Sequence, residues 1–246
     1  MTTTRHPVRS RTVPVAGVTV SLRESGDPAG PTAVLLHGGS SSSATWDRLA
    51  AALTAAGRHV IAADLRGHGS SSRTREYPLT GYSDDIRGLM DALGIGSAAL
   101  VGHSLGGYAA SVLAQREPGR VSRLVLEEPG MPARDTEGSH GLSGPRFLLP
   151  ALVGLAARRG YDRRAVTSAV RQLRVPDPAW WDRLPLITAP TLLISGGPGS
   201  RIPPRQLTEA VRSIPHGRIV TIPAGHRVHS RRPEQFLAAV MPFLTA

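Results

Sequence analysis

The chain of 246 residues contains no cysteine and no lysine, and aromatic residues make up only 4% of it. The lack of cysteine excludes disulfides and thiolate metal sites. With so few aromatic residues, a hydrophobic core must consist mainly of leucine, valine, isoleucine and alanine, and a hydrophobic fraction of 40% is enough to form one. We therefore expect one domain with a small insertion, as is common for α/β proteins of this length.

The sequence also lacks an apolar run long enough to cross a membrane. The longest near-apolar stretch, Phe147 to Ala157, is interrupted by Pro150 and Gly154 and is too short to span a bilayer. The N-terminal segment MTTTRHPVRSRT has no apolar region of the secretory-signal type. We expect a cytoplasmic protein with no membrane partner.

The charge of the chain is strongly one-sided, with a formal net value of +11. All of its basic residues are arginine, and they are scattered, with only short pairs such as Arg158-Arg159, Arg163-Arg164 and Arg231-Arg232. A nucleic-acid site would need basic residues concentrated on one face. The scattering favours a solvated basic surface, so we predict no nucleic-acid partner, with an acidic substrate or carrier protein as the alternative.

Short β-branched runs alternate along the chain with helical patterns. Predicted strands are a hairpin over Val13–Leu22, then Ala33–Leu36, His59–Ala63, Ala98–Gly102, Ser122–Glu127, Thr191–Ser195 and Arg218–Ile222; predicted helices are Trp46–Ala56, Tyr82–Leu93, Leu105–Gln115, Gln206–Ile214 and Glu234–Leu244. This alternation predicts an α/β fold with a mostly parallel sheet. Residues 129–189 interrupt it, so we predict a core of residues 1–128 and 190–246 and a cap formed by 129–189.

One short motif indicates a catalytic serine. Residues 102–107 read Gly-His-Ser-Leu-Gly-Gly, which contains the G-x-S-x-G pattern around Ser104. The motif lies between a predicted strand and a predicted helix, where a tight turn would project the serine hydroxyl outward. The residues on either side must be small to permit that turn, and the following helix would direct its N-terminus towards the site.

Three further motifs accompany this one in a fixed order: Leu35-Leu36-His37-Gly38-Gly39, Asp64-Leu65-Arg66-Gly67-His68-Gly69-Ser70 and Pro223-Ala224-Gly225-His226. Together the four motifs resemble the α/β-hydrolase superfamily over nearly all of the chain outside the predicted cap. The resemblance implies the α/β-hydrolase fold, a mostly parallel central sheet with helices on both faces and a small helical cap. It also implies catalysis without a metal or an organic cofactor.

The resemblance assigns Ser104 as nucleophile and His226 as general base, because the base of this family follows the last strand. Among nine histidines the rival is His229, which we expect to pack or stay exposed at the start of the final helical region. His6, His59, His140 and His216 lie outside every motif, and surface positions are expected for them. The oxyanion hole is expected from the backbone amides of Leu105 and, by resemblance, Gly39.

The sequence departs from the family at the acid. Most members carry Gly-Glu-x-Asp after the strand that corresponds to Thr191–Ser195, but here Gly199 occupies the Asp position and the loop has no carboxylate. Haloalkane dehalogenases and some lactone hydrolases instead place the acid at the end of the preceding strand, where this chain has Glu127 and Glu128. We predict Glu128, with Glu127 as the alternative. Because side chains alternate along a strand, only one of the two is expected to face His226.

A serine at the elbow points to acyl transfer, since dehalogenases and epoxide hydrolases need a carboxylate there. We predict a serine hydrolase that cleaves a small-molecule carboxylic ester or lactone through an acyl-enzyme on Ser104, as a monomer or homodimer. The alternatives are a perhydrolase or lyase with the same triad, or a catalytically impaired ligand-binding protein. Cap residues Trp180, Trp181, Phe147 and Leu148 are predicted to line an apolar substrate pocket, with ordinary packing as the alternative.

Overall fold

A computed structural model describes residues 7–135 and 160–246. The strands are β1 (Arg9–Val15), β2 (Val18–Ser25), β3 (Thr32–Leu36), β4 (His59–Ala63), β5 (Ala98–His103), β6 (Val121–Glu127), β7 (Thr191–Ser195) and β8 (Gly217–Thr221). The α-helices are α1 (Asp47–Ala55), α2 (Leu79–Ala92), α3 (Leu105–Arg116), α4 (Arg163–Leu173), α5 (Pro178–Asp182), α6 (Pro204–Arg212), α7 (Val228–Arg231) and α8 (Pro233–Thr245). Short 3-10 turns occur at Ser43–Trp46, Pro118–Arg120 and Leu184–Leu186.

The strands form one sheet in the order β1-β2-β4-β3-β5-β6-β7-β8. The β1–β2 and β2–β4 pairs are antiparallel, and every other neighbouring pair is parallel. The hairpin predicted around Ala16-Gly17 joins β1 to β2, and both turn residues have positive φ, at 36° and 87°. Positive φ at both central positions is the requirement of a type I′ hairpin turn. The mostly parallel α/β fold predicted from the sequence is confirmed.

Helices cover both faces of the sheet because strand side chains alternate between them. In β3, Val34 and Leu36 contribute to the core on one face, while Ala33 and Leu35 contribute to the core on the other. The first core contains side chains from α2, α3, α5 and α6, and the second contains side chains from α1 and α8. The parallel strands are therefore buried on both faces, which explains their continuous apolar sequences.

Two predictions from the sequence were wrong in detail. Helix α2 begins at Leu79, three residues before the predicted start, with the extended Pro78 as its N-cap residue. His59 is 5% exposed and does not lie on the surface: Nε2 contacts Glu24 Oε1 at 2.8 Å and Nδ1 contacts Thr32 Oγ1 at 3.2 Å. The two polar partners come from neighbouring strands of the sheet, a relation that the local sequence around His59 does not contain.

The sheet brings the predicted catalytic residues to one edge. Strands β3, β5, β6 and β7 are consecutive neighbours and run parallel, so the loops that follow them meet at their carboxyl ends. The register pairs Leu36 with Gly102 and pairs Glu127 with both His103 and Ile194. Open parallel sheets bind ligands outside this edge.

Candidate active site

Ser104 occupies a strained turn between β5 and α3. Its backbone has φ 50° and ψ −112°, a conformation that side chains other than glycine rarely adopt. The turn is closed by hydrogen bonds from Tyr108 N to Ser104 O at 3.0 Å and from Gly130 N to Ser104 O at 2.8 Å. Such strain persists only where the surrounding structure fixes it, and here it holds the hydroxyl at the edge of the sheet.

Glycines around the turn permit this geometry. A Cβ at Gly102 would lie 2.4 Å from Gly106 O, and a Cβ at Gly106 would lie 2.3 Å from Leu36 O. A Cβ at Gly38, in the neighbouring loop, would lie 2.5 Å from His103 Nδ1. The backbone segments approach so closely that any larger residue would displace the serine.

The imidazole of His226 lies between the hydroxyl and a carboxylate. Its Nε2 is 3.2 Å from Ser104 Oγ, and its Nδ1 is 3.3 Å from Glu128 Oε2. The backbone carbonyl of His226 accepts a hydrogen bond from His103 Nε2 at 2.7 Å, which ties the loop after β8 to the end of β5. The structure therefore places all three predicted triad side chains in one line. Both separations lie at the long end of the range for hydrogen bonds.

Glu128 is fully buried one residue beyond the end of β6 and has a φ of 46°. Its Oε1 accepts the backbone N–H of Gly196 at 2.6 Å, and its Oε2 accepts the hydroxyl proton of Ser200. Both donors come from the loop after β7, the loop that lacks the usual aspartate. Burial raises the pKa of Glu128 to about 7, although the hydrogen bonds from Gly196 and Ser200 act in the opposite direction.

His226 has the opposite electrostatic environment. Burial, together with the positive charges of Arg201 and Arg227, lowers its pKa to about 3. The imidazole is consequently neutral at pH 7 and has a free lone pair. A neutral imidazole beside a serine hydroxyl can accept the proton of that hydroxyl.

Glu127 faces His229, the second histidine in the segment between β8 and α8. Its Oε2 is 2.6 Å from His229 Nδ1, its Oε1 accepts the backbone N–H of His229 at 3.0 Å, and His229 Nε2 is 2.7 Å from Thr45 Oγ1. Burial opposes ionisation of Glu127, but His103 and the hydrogen bonds from His229 outweigh it and lower its pKa. The two glutamates point in different directions, and His229 packs rather than staying exposed.

The two predicted oxyanion amides lie at the same edge. Leu105 is the first residue of α3, and Gly39 follows β3; both line the cavity that contains Ser104. In the described ranges, neither the Leu105 amide nor the Gly39 amide donates a hydrogen bond to a backbone oxygen of another segment. His37 holds the Gly39 loop: its Nδ1 is 2.7 Å from Gly38 O, and its Nε2 accepts the N–H of Leu65 at 3.0 Å.

A cavity of about 330 Å³ opens at Ser104. Apolar side chains line one part of it, and sequence reasoning did not identify them: Met131, Val166, Ala169, Val170, Leu173 and Ile202. Four of these come from α4. The helical period of α4 was recognisable in the sequence, but the face that it turns to the serine was not.

The tryptophans predicted for this pocket do not line the cavity, and that part of the prediction was wrong. Trp180 is 1% exposed and donates from Nε1 to Ser111 Oγ at 3.2 Å, while Trp181 donates from Nε1 to Pro132 O at 3.0 Å. Both indoles are packed and their N–H groups have hydrogen-bond partners, as the alternative prediction of ordinary packing stated. Phe147 and Leu148 lie outside the described residues.

Two other kinds of feature are lacking in residues 7–135 and 160–246. No group of three or more histidine, aspartate or glutamate side chains is arranged there to hold a metal ion. No helix within those same ranges is long and apolar enough to cross a membrane.

Known proteins that resemble this chain in sequence or structure include hydrolases. A family model described as α/β hydrolase fold matches residues 31–153. The chain is 31% identical to the sn-1-specific diacylglycerol lipase ABHD11 of Mus musculus, covering 89% of this chain and 82% of that protein. It is 29% identical to the 2-(acetamidomethylene)succinate hydrolase of Mesorhizobium japonicum, covering 96% and 95%. Among solved structures, the enol-lactonase from Burkholderia xenovorans superposes with a TM-score of 0.80 and 26% identity, covering 96% of this chain and 100% of the other.

Proposed function

The chain belongs to the α/β-hydrolase family, and we propose that it is a serine hydrolase that cleaves a carboxylic ester or lactone through an acyl-enzyme on Ser104. The observation that carries the proposal is the line of Ser104, His226 and Glu128 beside a cavity. The relatives support the substrate class, since they include a lipase and a lactonase.

In the proposed acylation step, His226 Nε2 takes the hydroxyl proton of Ser104 while Oγ forms a bond to the substrate carbonyl carbon. The carbonyl oxygen becomes negatively charged, and the amides of Gly39 and Leu105 stabilise it, each by about 3 kcal/mol. Glu128 stabilises the imidazolium that forms. The imidazolium then gives its proton to the leaving alkoxide, the carbon–oxygen bond breaks, and the acyl group remains on Ser104.

Deacylation reverses these roles. His226 takes a proton from water, the hydroxide attacks the acyl carbon, and the bond to Ser104 Oγ breaks as that oxygen recovers its proton. The products are a carboxylic acid and an alcohol, or a hydroxy acid from a lactone. The contact between Glu128 and His226 argues against a catalytically impaired binding protein, because such a protein would need no orienting acid.

We also propose that residues 129–189 act as a cap. Support comes from α4, whose Val166, Val170 and Leu173 line the same cavity as Ser104. A cap of this kind would exclude water from the acyl group during acylation and would form the binding surface for the substrate.

The test is covalent labelling with a fluorophosphonate, followed by mass spectrometry of the labelled peptide. We expect one adduct on Ser104, no adduct in Ser104→Ala, and normal labelling in Ser213→Ala, whose hydroxyl lies outside the cavity. Location of the adduct matters because Ser40 also lines the cavity. Labelling of Ser40, or equal labelling of wild type and Ser104→Ala, would refute the proposed nucleophile.

A further inference from the structure

The cavity at Ser104 is lined by arginines and by no carboxylate within the described ranges. Arg171 lies in α4, and Arg174 directly follows that helix. Arg201 lies in the loop after β7, and Arg227 directly follows His226. Three separate segments of the chain therefore bring positive charge to one small space.

Three of these arginines have no acidic partner in the part of the chain that the structure describes. Arg171, Arg201 and Arg227 make none of the ion pairs found between residues 7–135 and 160–246. Arg66, by contrast, is partly buried and is paired with Asp85. Arg201 is itself half-buried, and burial together with the charges of Arg227 and Arg231 lowers its pKa. Desolvation of the Arg201 charge is unfavourable, and a bound anion would offset it.

Two of the four arginines act electrostatically on the catalytic candidate His226. Arg227 directly follows His226, and the charges of Arg201 and Arg227 both act on the His226 imidazole. His226 must protonate the leaving oxygen, so the alcohol part of an ester lies on the His226 side. The apolar side chains of α4 lie in the same cavity and suit an acyl chain.

We propose that the substrate is an ester whose alcohol part carries a carboxylate, which Arg201 and Arg227 bind while the acyl part packs against Val166, Val170 and Leu173. Planar guanidinium groups bind carboxylates through paired hydrogen bonds. The net charge of +11 would also attract such a substrate over longer distances. This inference rests on the proposed function, since it assigns the alcohol side from the proton transfer by His226.

The test compares three phenyl esters with the same hexanoyl group. Phenyl hexanoate is neutral, 3-(hexanoyloxy)benzoate carries a carboxylate on the alcohol part, and 3-(hexanoyloxy)-N,N,N-trimethylanilinium carries a cation there. We expect kcat/KM for the benzoate to exceed that for phenyl hexanoate about tenfold or more, mainly through a lower KM, which corresponds to ~1.4 kcal/mol. The cationic ester should be the slowest, even though its electron-withdrawing group makes the phenol a better leaving group.

Variants then locate the effect. Arg201→Gln and Arg227→Gln should each reduce the benzoate-to-phenyl ratio of kcat/KM, and the double variant should bring it close to one. The ratio is used because both substitutions also change the surroundings of His226, which affects the two esters alike. Arg205→Gln removes one charge from the neighbouring helix α6 but not from the cavity, and it should keep the wild-type ratio.

Three results would overturn the inference: a wild-type ratio of one or below, a ratio unchanged in the double variant, or a preference for monophenyl adipate over the benzoate, which would place the carboxylate on the acyl side. Failure of the proposed function looks different. In that case Ser104 would not be labelled by the fluorophosphonate, and no ester would be hydrolysed in a manner that depends on Ser104. Ser104-dependent hydrolysis of phenyl hexanoate without charge preference refutes this inference alone.

Discussion

Replacement of Glu128 by glutamine should misdirect the proton on His226. Glu128 now accepts from Gly196 N–H, from the Ser200 hydroxyl and from His226 Nδ1. Glutamine has a single acceptor oxygen, and the backbone N–H of Gly196 requires it because that group can only donate. The amide NH₂ would then face His226 Nδ1, which would have to accept. The imidazole proton would move to Nε2, the atom that faces Ser104, and the base would lose its free lone pair.

The expected magnitude follows from this change of tautomer. Loss of the orienting carboxylate in a serine triad lowers kcat about 10³- to 10⁴-fold, equivalent to ~4–5.5 kcal/mol of transition-state stabilisation. The side chain lies behind His226 and does not line the cavity, so KM should change little. The assay is steady-state hydrolysis of phenyl hexanoate together with the rate constant for inactivation by a fluorophosphonate, measured for wild type and Glu128→Gln.

A second substitution distinguishes loss of the acid from loss of the fold. Gly199 lies at the usual aspartate position, its φ is not in the positive range, and a Cβ there would have no heavy atom within 4 Å. Glu128→Gln/Gly199→Asp should therefore recover part of the lost rate, whereas Glu128→Gln/Gly199→Asn should not. If Glu128→Gln hydrolyses phenyl hexanoate and labels within about threefold of wild type, well below the expected loss, Glu128 does not orient the base.

Three further predictions concern ionisation, the second carboxylate–histidine pair and the elbow. Because Glu128 acts in its ionised form and its pKa is raised to about 7, kcat/KM should rise with pH through about 7, and a profile flat from pH 6 to 8 would contradict this. Glu127→Gln should lower the free energy of unfolding in urea by about 2–3 kcal/mol, whereas Glu234→Gln, in an exposed pair, should cost less than about 1 kcal/mol; equal effects would refute the structural role of Glu127. Gly106→Ala should cost about 1–3 kcal/mol in thermal unfolding, while Gly119→Ala, with open space around it, should be nearly neutral, and similar melting temperatures for the two would contradict the close approach to Leu36.

Features that depend on local sequence could be predicted well. The strand cores were identified because parallel strands buried on both faces have continuous β-branched and leucine runs, as Thr191–Ser195 shows. The turn at Ser104 was identified because its glycines stand where a Cβ would lie less than 3 Å from neighbouring backbone atoms. The absence of a carboxylate around Gly199 directed attention to the end of β6, where Glu128 lies against His226.

Features that depend on partners from distant segments could not be predicted. Trp180 contacts Ser111 and Trp181 contacts Pro132, and these distant partners decide that the indoles pack instead of lining the cavity. Alternation along β6 indicated that Glu127 and Glu128 diverge, but it did not identify the partner of Glu127. That partner is His229, which sequence reasoning treated only as a rival base.

The adjacent glutamates also explain how the proposed acid can lie at the end of β6 rather than on the loop after β7. Both contact histidines of the segment between β8 and α8, Glu128 through His226 and Glu127 through His229, so that segment is attached to the edge of the sheet at two points. The ionic environments differ: histidines hold Glu127 in its charged form, whereas burial pushes the pKa of Glu128 up to about 7. With Glu128 as the proposed acid at the end of β6, the mechanism needs no carboxylate in the loop after β7. That loop is then able to direct Arg201 towards the cavity, where an aspartate nearby would neutralise it.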